Sequence, residues 1–298
     1  MRKQLTQCLL GASFVFWGCL STQAQVQQIT LTRIGPTVEV TDTSGDRPTF
    51  QAINGNEVYE DDLLVTIGEG SRVILVFSNG ATINIGEESE VEIRQFLQDP
   101  FADDYAFGEA TAEPTASTSQ TRIHLRQGEL IGNVKTLNKG STFEVTTPAG
   151  AAGIRGTTFR VVFRPSGDGG AFFTVTTIEG NVLVSTLVGA LADTPISVTN
   201  QEEIEILVEV DDQTGEVTVL TPASDLTTRP ASPEALAVVT QVVQEAAQEV
   251  ALIVLRLGAP STPKAGPGTS GSGEPPPSEN TQPPPQTQND NLSPGAGI

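Results

Sequence analysis

Between residues 25 and about 220, apolar positions come in short runs that either alternate with polar ones or run on unbroken, each bounded by turn residues. Arg72-Val73-Ile74-Leu75-Val76-Phe77 is a near-continuous apolar strand, Ser78-Asn79-Gly80 a turn, and Ala81-Thr82-Ile83-Asn84-Ile85 an alternating return strand. This is a β-hairpin in which Gly80 supplies the positive φ. A second hairpin occupies 172–178 and 182–185 around Glu179-Gly180-Asn181, and strands at 203–210 and 216–220 flank an Asp-Asp-Gln-Thr-Gly turn. Strands with turns at this spacing predict a mainly β domain over 25–222, a meandering antiparallel β-sandwich or a twisted β-solenoid. The segment 98–120 interrupts the pattern. It is acidic at Asp99, Asp103, Asp104 and Glu109, then rich in Ala, Thr and Ser, and predicts a surface loop.

The period changes near Ser232. Leu236, Val239, Val243, Ala246, Val250, Ile253 and Leu257 recur three and four apart, which predicts an amphipathic helix over 232–257. Ser232 suits the N-cap, Pro233 the first turn, and Glu234 the positive end of the helix dipole. The stripe fits either packing on the β domain or a homo-oligomeric seam, and packing is the expectation because Ala247, Ala251 and Val254 widen it. Beyond it, 258–298 holds half of the 20 prolines and almost nothing apolar, a composition that predicts a disordered Pro/Gly/Ser-rich tail.

The N-terminus changes the picture of where the chain works. Arg2 and Lys3 precede an apolar run from Cys8 to Trp17 and then Ser21-Thr22-Gln23-Ala24, the three parts of a secretory signal peptide over 1–24. The run falls short of the roughly 20 residues that span a bilayer. Cleavage after Ala24 would leave an exported protein, periplasmic or extracellular, with no transmembrane span. Lipid attachment at Cys19 is the alternative.

Cleavage would also remove both cysteines, Cys8 and Cys19, and with them any disulfide, thiolate nucleophile or cysteine metal site. The one histidine, His124, sits in an alternating segment and reads as a strand residue on the polar face. Formal charge is −20, and losing Arg2 and Lys3 takes it to −20 − 2 = −22. Such a field opposes nucleic acids, whose binding depends on Lys and Arg displacing counterions. The acidic pairs Asp61-Asp62, Glu87-Glu88 and Asp211-Asp212 lack the alternating spacing of a calcium loop and read as solvated turns. No cofactor or metal is expected.

Several segments together resemble the FecR domain family. They are Asn56 to Arg72 with Thr66-Ile67-Gly68-Glu69-Gly70-Ser71, then Phe77 to Val91 with Gly80 and Gly86-Glu87-Glu88-Ser89. Leu125-Arg126-Gln127-Gly128-Glu129-Leu130 and Phe143-Glu144-Val145-Thr146-Thr147-Pro148 follow, then Ala152-Gly153-Ile154-Arg155-Gly156-Thr157-Thr158-Phe159-Arg160-Val161 and Glu179-Gly180-Asn181-Val182. Each is a weak turn motif alone; their order carries the resemblance. Gly68, Ser71, Gly80, Ser89, Gly128, Arg155, Gly156, Thr157 and Gly180 are its structural positions. The glycines serve reversals, and the serines bond backbone in turns. Arg155, flanked by small residues, is expected to lie buried along the backbone and donate to carbonyls where strands bend, the competing reading being a surface arginine that grips an anionic ligand.

The resemblance implies a kinship with extracytoplasmic regulators that relay ferric-siderophore signals to a sigma factor. Those proteins carry a cytoplasmic anti-sigma segment and a transmembrane helix before the domain, where this chain has the expected signal peptide, so the anti-sigma activity is not carried over. The reading is a non-catalytic extracytoplasmic binding or scaffolding protein that engages an envelope protein or polysaccharide. The alternative is an extracytoplasmic component of a sigma-factor regulatory system acting through a separate membrane partner.

Overall fold

A computed structural model describes residues 28–257 except 36, 102–109, 167–168, 212–213 and 215, without the side chains of 33, 34 and 253–257. The expected signal peptide with Cys8 and Cys19, and the expected tail 258–298, lie outside the described residues. In chain order the strands are β1 (Ile29–Ile34), β2 (Val38–Asp42), β3 (Phe50–Gln51), β4 (Glu57–Val58), β5 (Asp62–Thr66), β6 (Arg72–Phe77), β7 (Thr82–Ile85), β8 (Glu90–Gln98) and the long β9 (Ser119–Asn133). Then come β10 (Thr142–Thr146), β11 (Gly150–Ile154), β12 (Thr158–Pro165), β13 (Gly170–Glu179), β14 (Val182–Thr186), a short helix α1 (Ala190–Asp193), β15 (Ile196–Val198), β16 (Glu202–Val210), β17 (Val217–Val219), β18 (Arg229–Pro230) and α2 (Pro233–Leu257). The strands thus run past the expected limit at 222, to Pro230, and α1 is an element the sequence pattern did not predict.

The 18 strands form one continuous hydrogen-bonded sheet that divides at β9 into two layers. Sheet A runs β4-β1-β6-β7-β9-β12-β13-β16, with β17 and β18 on the far side of β16. Sheet B runs β3-β2-β5-β8-β9-β10-β11-β14-β15. Between these strands pairing is antiparallel except for β9 with β10, and a parallel bridge joins Ala112 to Thr136 outside them. Residues 119–127 of β9 pair with β8 in sheet B, and 128–133 with β7 and β12 in sheet A.

Gly128 makes that crossing possible. Its φ is +101°, and a Cβ there would stand 2.1 Å from Ser89 Oγ. Ser89 uses that closeness: its hydroxyl accepts from the Glu129 amide at 3.0 Å and donates to the Glu87 carbonyl at 3.1 Å. A β-strand that changes sheets through a glycine bulge is how a sandwich turns a corner.

The two layers face each other across a core to which both contribute. Phe96 of sheet B packs edge-on to Phe77 of sheet A with ring centroids 5.0 Å apart, Phe77 meets Phe143 of sheet B at 6.2 Å, and Phe143 meets Phe159 of sheet A at 6.4 Å. Steep interplanar angles suit the ring quadrupoles. In β10 and β14, as in β5, buried positions alternate with more exposed ones, whereas β6 is buried from Val73 to Phe77. The unbroken apolar run of β6 is what burial on both faces demands.

α2 lies on the outer face of sheet A. Val239 and Val242 cluster with Ile131 of β9, with Ile178 and Val243 alongside, and Arg72 pairs with Glu245 at 3.1 Å. The Ser232 hydroxyl accepts from the Ala235 amide at 3.1 Å and caps the helix. Of the expected stripe Val239, Ala246 and Val250 are buried, while Ala235 and Val242 take the buried places beside Leu236 and Val243, which are half-buried at its edge. A homo-oligomeric seam along 232–257 would have to share Val239 and Val242, which already pack on sheet A.

Two expectations fail on buried carboxylates. Residues 110–120 are inlaid and not a plain surface loop: the buried Glu113 carboxylate accepts from the hydroxyls of Ser119 and Ser141 and from the Asn138 amide at 2.8 Å. The Ser- and Thr-rich composition that suggested solvent supplies hydrogen-bond partners instead. Asp62 likewise is no solvated turn residue; it is fully buried, with Arg47 at 2.5 Å and the Tyr59 amide at 2.9 Å. Burial raises the Asp62 pKa against the pull of that amide and of Arg47, while the Ser44 hydroxyl chiefly holds Asp42 below its usual value. Arg47 also spans to Asp42 at 3.2 Å and stacks over Tyr59.

Candidate partner-binding groove

Most of the residues that carried the family resemblance are where folding needs them. Gly68, Gly80, Gly128, Gly156 and Gly180 all have positive φ. Ser71 is buried, donates to the Ile67 carbonyl at 2.7 Å and accepts from the Thr37 amide at 3.3 Å; Thr157 donates to the Asn181 carbonyl at 3.1 Å. Arg155 departs from this group. It follows directly on β11, its side chain is exposed, and its guanidinium has no hydrogen bond or ion pair among the described residues. The expected structural role is therefore corrected: parity along β11 turns Ile154 into the core and leaves Arg155 facing solvent.

Arg155 stands at a groove of about 420 Å³ on the outer face of sheet B. β11 and β14 provide Gly153 and Leu183, β8 and β9 provide Gln95, Gln120 and Arg122, and β10 provides Glu144. Leu183 is 51% exposed. Arg122 and Glu144 pair at 3.1 Å across the β9–β10 register.

Gly153 is the position that shapes the floor. Its φ is ordinary, and a Cβ would meet nothing nearer than the Leu183 carbonyl oxygen at 3.8 Å. Every other described glycine has either a positive φ or an atom that a Cβ would crowd, as at Gly132, where the Phe159 ring would lie 2.5 Å away. A strand glycine costs about 0.5–1 kcal/mol relative to alanine. The fold has no steric use for the missing side chain at 153; what the absence does is keep the groove open.

Beyond the groove the same face is a lattice of matched charges. Glu92, 2% exposed, is held by Arg126 at 2.7 Å and Arg94 at 3.0 Å. His124 hydrogen-bonds Thr146 Oγ1 through Nδ1 at 2.9 Å. Burial lowers its pKa, Arg94 and Arg126 add to the effect and Glu92 opposes it, so the imidazole is neutral at pH 7. Among the described residues no cluster of metal-ligating side chains occurs and no helix is long and apolar enough to cross a membrane. The arrangement can hold an anionic or hydrogen-bonding partner against a partly apolar floor. The sequence signal for it was the small run Ala151-Ala152-Gly153 inside a strand; Leu183 gave none.

No curated protein matches the chain. Two crystal structures of a candidate anti-sigma factor from Parabacteroides distasonis ATCC 8503, at 1.65 and 2.50 Å resolution, are similar at 14% identity and a TM-score of 0.36. The similarity covers 59% of this chain and 64% and 63% of theirs, so the chain spans less than two thirds of those proteins' length. Residues 64–183, from β5 to β14 and including the joint at Gly128 and all the groove residues named above, match the family model described as FecR protein. The chain thus carries a FecR-like domain over residues 64–183.

Proposed function

We propose that this is an exported, non-catalytic binding protein that engages an envelope partner through the outer face of sheet B. The observation that carries the reading is the groove itself, with Arg155 unpaired among the described residues beside a glycine floor that packing does not require. Glu144 in its wall and Glu92 on the same face are committed to arginines, a disposition that suits holding a charge pattern more than moving protons. Export rests on the Arg2-Lys3 and Cys8–Trp17 segments, and N-terminal sequencing of the native protein should begin near Gln25.

The test compares capture of envelope components by the purified protein and by its Gly153→Trp variant. Loss of capture with an unchanged melting temperature supports the reading, and undiminished capture refutes it. A second reading, an extracytoplasmic component of a sigma-factor regulatory system acting through a separate membrane partner, is favoured by the FecR match over 64–183. Capture of a membrane-embedded sigma regulator, lost in the same variant, would select it.

A further inference from the structure

We propose that the groove takes an extended peptide segment, whose carboxylate pairs with Arg155 while a neighbouring aliphatic side chain lies over Gly153 against Leu183. This rests on the groove being the partner site and specifies its ligand. Three arginines on or beside this face, Arg94, Arg122 and Arg126, already hold carboxylates of their own chain. Arg155 does not, although the chain carries a net charge of −20 and offers acidic groups in abundance. A guanidinium fork left open in such a chain is matched to a carboxylate from elsewhere.

The apolar half of the site points the same way. Leu183 is 51% exposed beside the bare floor at Gly153, a shape for an aliphatic group and too narrow a purpose for general solubility. Gln95 and Gln120 set carboxamides on the wall, each able to donate to and accept from a peptide backbone. An acidic glycan fits less well, because Phe143, the one aromatic residue among the described residues lining the groove, is 2% exposed and turned into the core, so that the described lining offers a sugar no aromatic face to stack on.

The experiment is an array of capped pentapeptides with a central Glu between aliphatic residues, each beside its Gln twin, followed by fluorescence anisotropy on the best pair. Expected is tighter binding of the Glu member by roughly ten- to a hundredfold, the worth of a charge-assisted hydrogen bond. That preference should vanish in Arg155→Gln and return in part in Arg155→Lys, survive Gly153→Ala, and be lost with all binding in Gly153→Val at unchanged melting temperature. Equal binding of Glu and Gln twins, no binding on the array, or an Arg155→Gln variant that keeps the preference overturns the proposal. Displacement by polygalacturonate in place of peptide reassigns the ligand to a glycan and overturns it too. If the peptides fail while Gly153→Trp still abolishes envelope capture, only the ligand class is wrong; if Gly153→Trp captures normally, the groove reading falls with it.

Discussion

The two outer faces of the sandwich have been treated in opposite ways. On sheet A, Ile131 and Ile178 meet Val239 and Val242 of α2, and the helix removes an apolar strip from water. On sheet B the outward positions of β9 and β10 include Arg122, His124, Arg126, Glu144 and Thr146, exposed or half-buried and bonded to one another or to Glu92. A covered face earns stability by burial, whereas an open one must satisfy its polar groups laterally, as Glu92 does between two arginines. Against that background a residue left unsatisfied on the open face, Arg155, and a glycine left bare without steric cause, Gly153, stand out as features the fold does not explain.

The contrast depends on the two sheets being one framework, and the sharpest way to break it is at their joint. Gly128→Val should cost about 3 kcal/mol or more, since it adds left-handed strain to a collision with Ser89. Urea denaturation would show the midpoint fall or the domain fail to fold. Loss of the covered face comes next. Val239→Ala, at a site with no exposure, should cost about 2 kcal/mol from lost methyl burial and the cavity left behind. Sedimentation should find wild type and variant monomeric, because the stripe packs internally; an oligomer that the variant dissolves would make α2 an assembly element instead.

A smaller effect distinguishes the open face by pH. His124 has a lowered pKa in the fold, so between that value and the unfolded 6.5 the unfolded chain binds more protons. Its contribution is therefore complete above pH 6.5 and is lost as pH falls through the window below, at no more than about 1.4 kcal/mol per pH unit. NMR titration should place the imidazole midpoint under 6.5, and His124→Gln should flatten the acid limb of the stability curve. Smallest of all is Arg155→Ala, expected within about 0.5 kcal/mol of wild type because the side chain is exposed and unpaired. A marked drop in its denaturant midpoint would restore the backbone-bracing role that its neighbours in sequence suggested.

Local chemistry was legible in the chain because its causes are local. The unbroken apolar run of β6, the turns at Gly80 and Gly180, and the Ser232 cap depend on residues within a few positions of one another, and the pattern shows them directly. Alternation even announces that β10 has two unlike faces, whereas the apolar run Val182-Leu183-Val184 conceals those of β14. What it leaves open is what each face meets, since that is settled by partners far away along the chain.

Tertiary structure alone decided those matters. Gly128 and Gly153 look alike in sequence, yet one is pinned by Ser89, 39 positions away, and the other by nothing. The loop that holds Glu113 and the acidic turn at Asp62 read as solvent-facing until Ser141 and Arg47 are brought to them. Arg155 read as buried among small residues, but the parity of β11 turned it outward once Ile154 took the core position. Periodicity sets how a strand alternates; the packing of one sheet on another, and of α2 on only one of them, determines which side is sealed and which is left to bind.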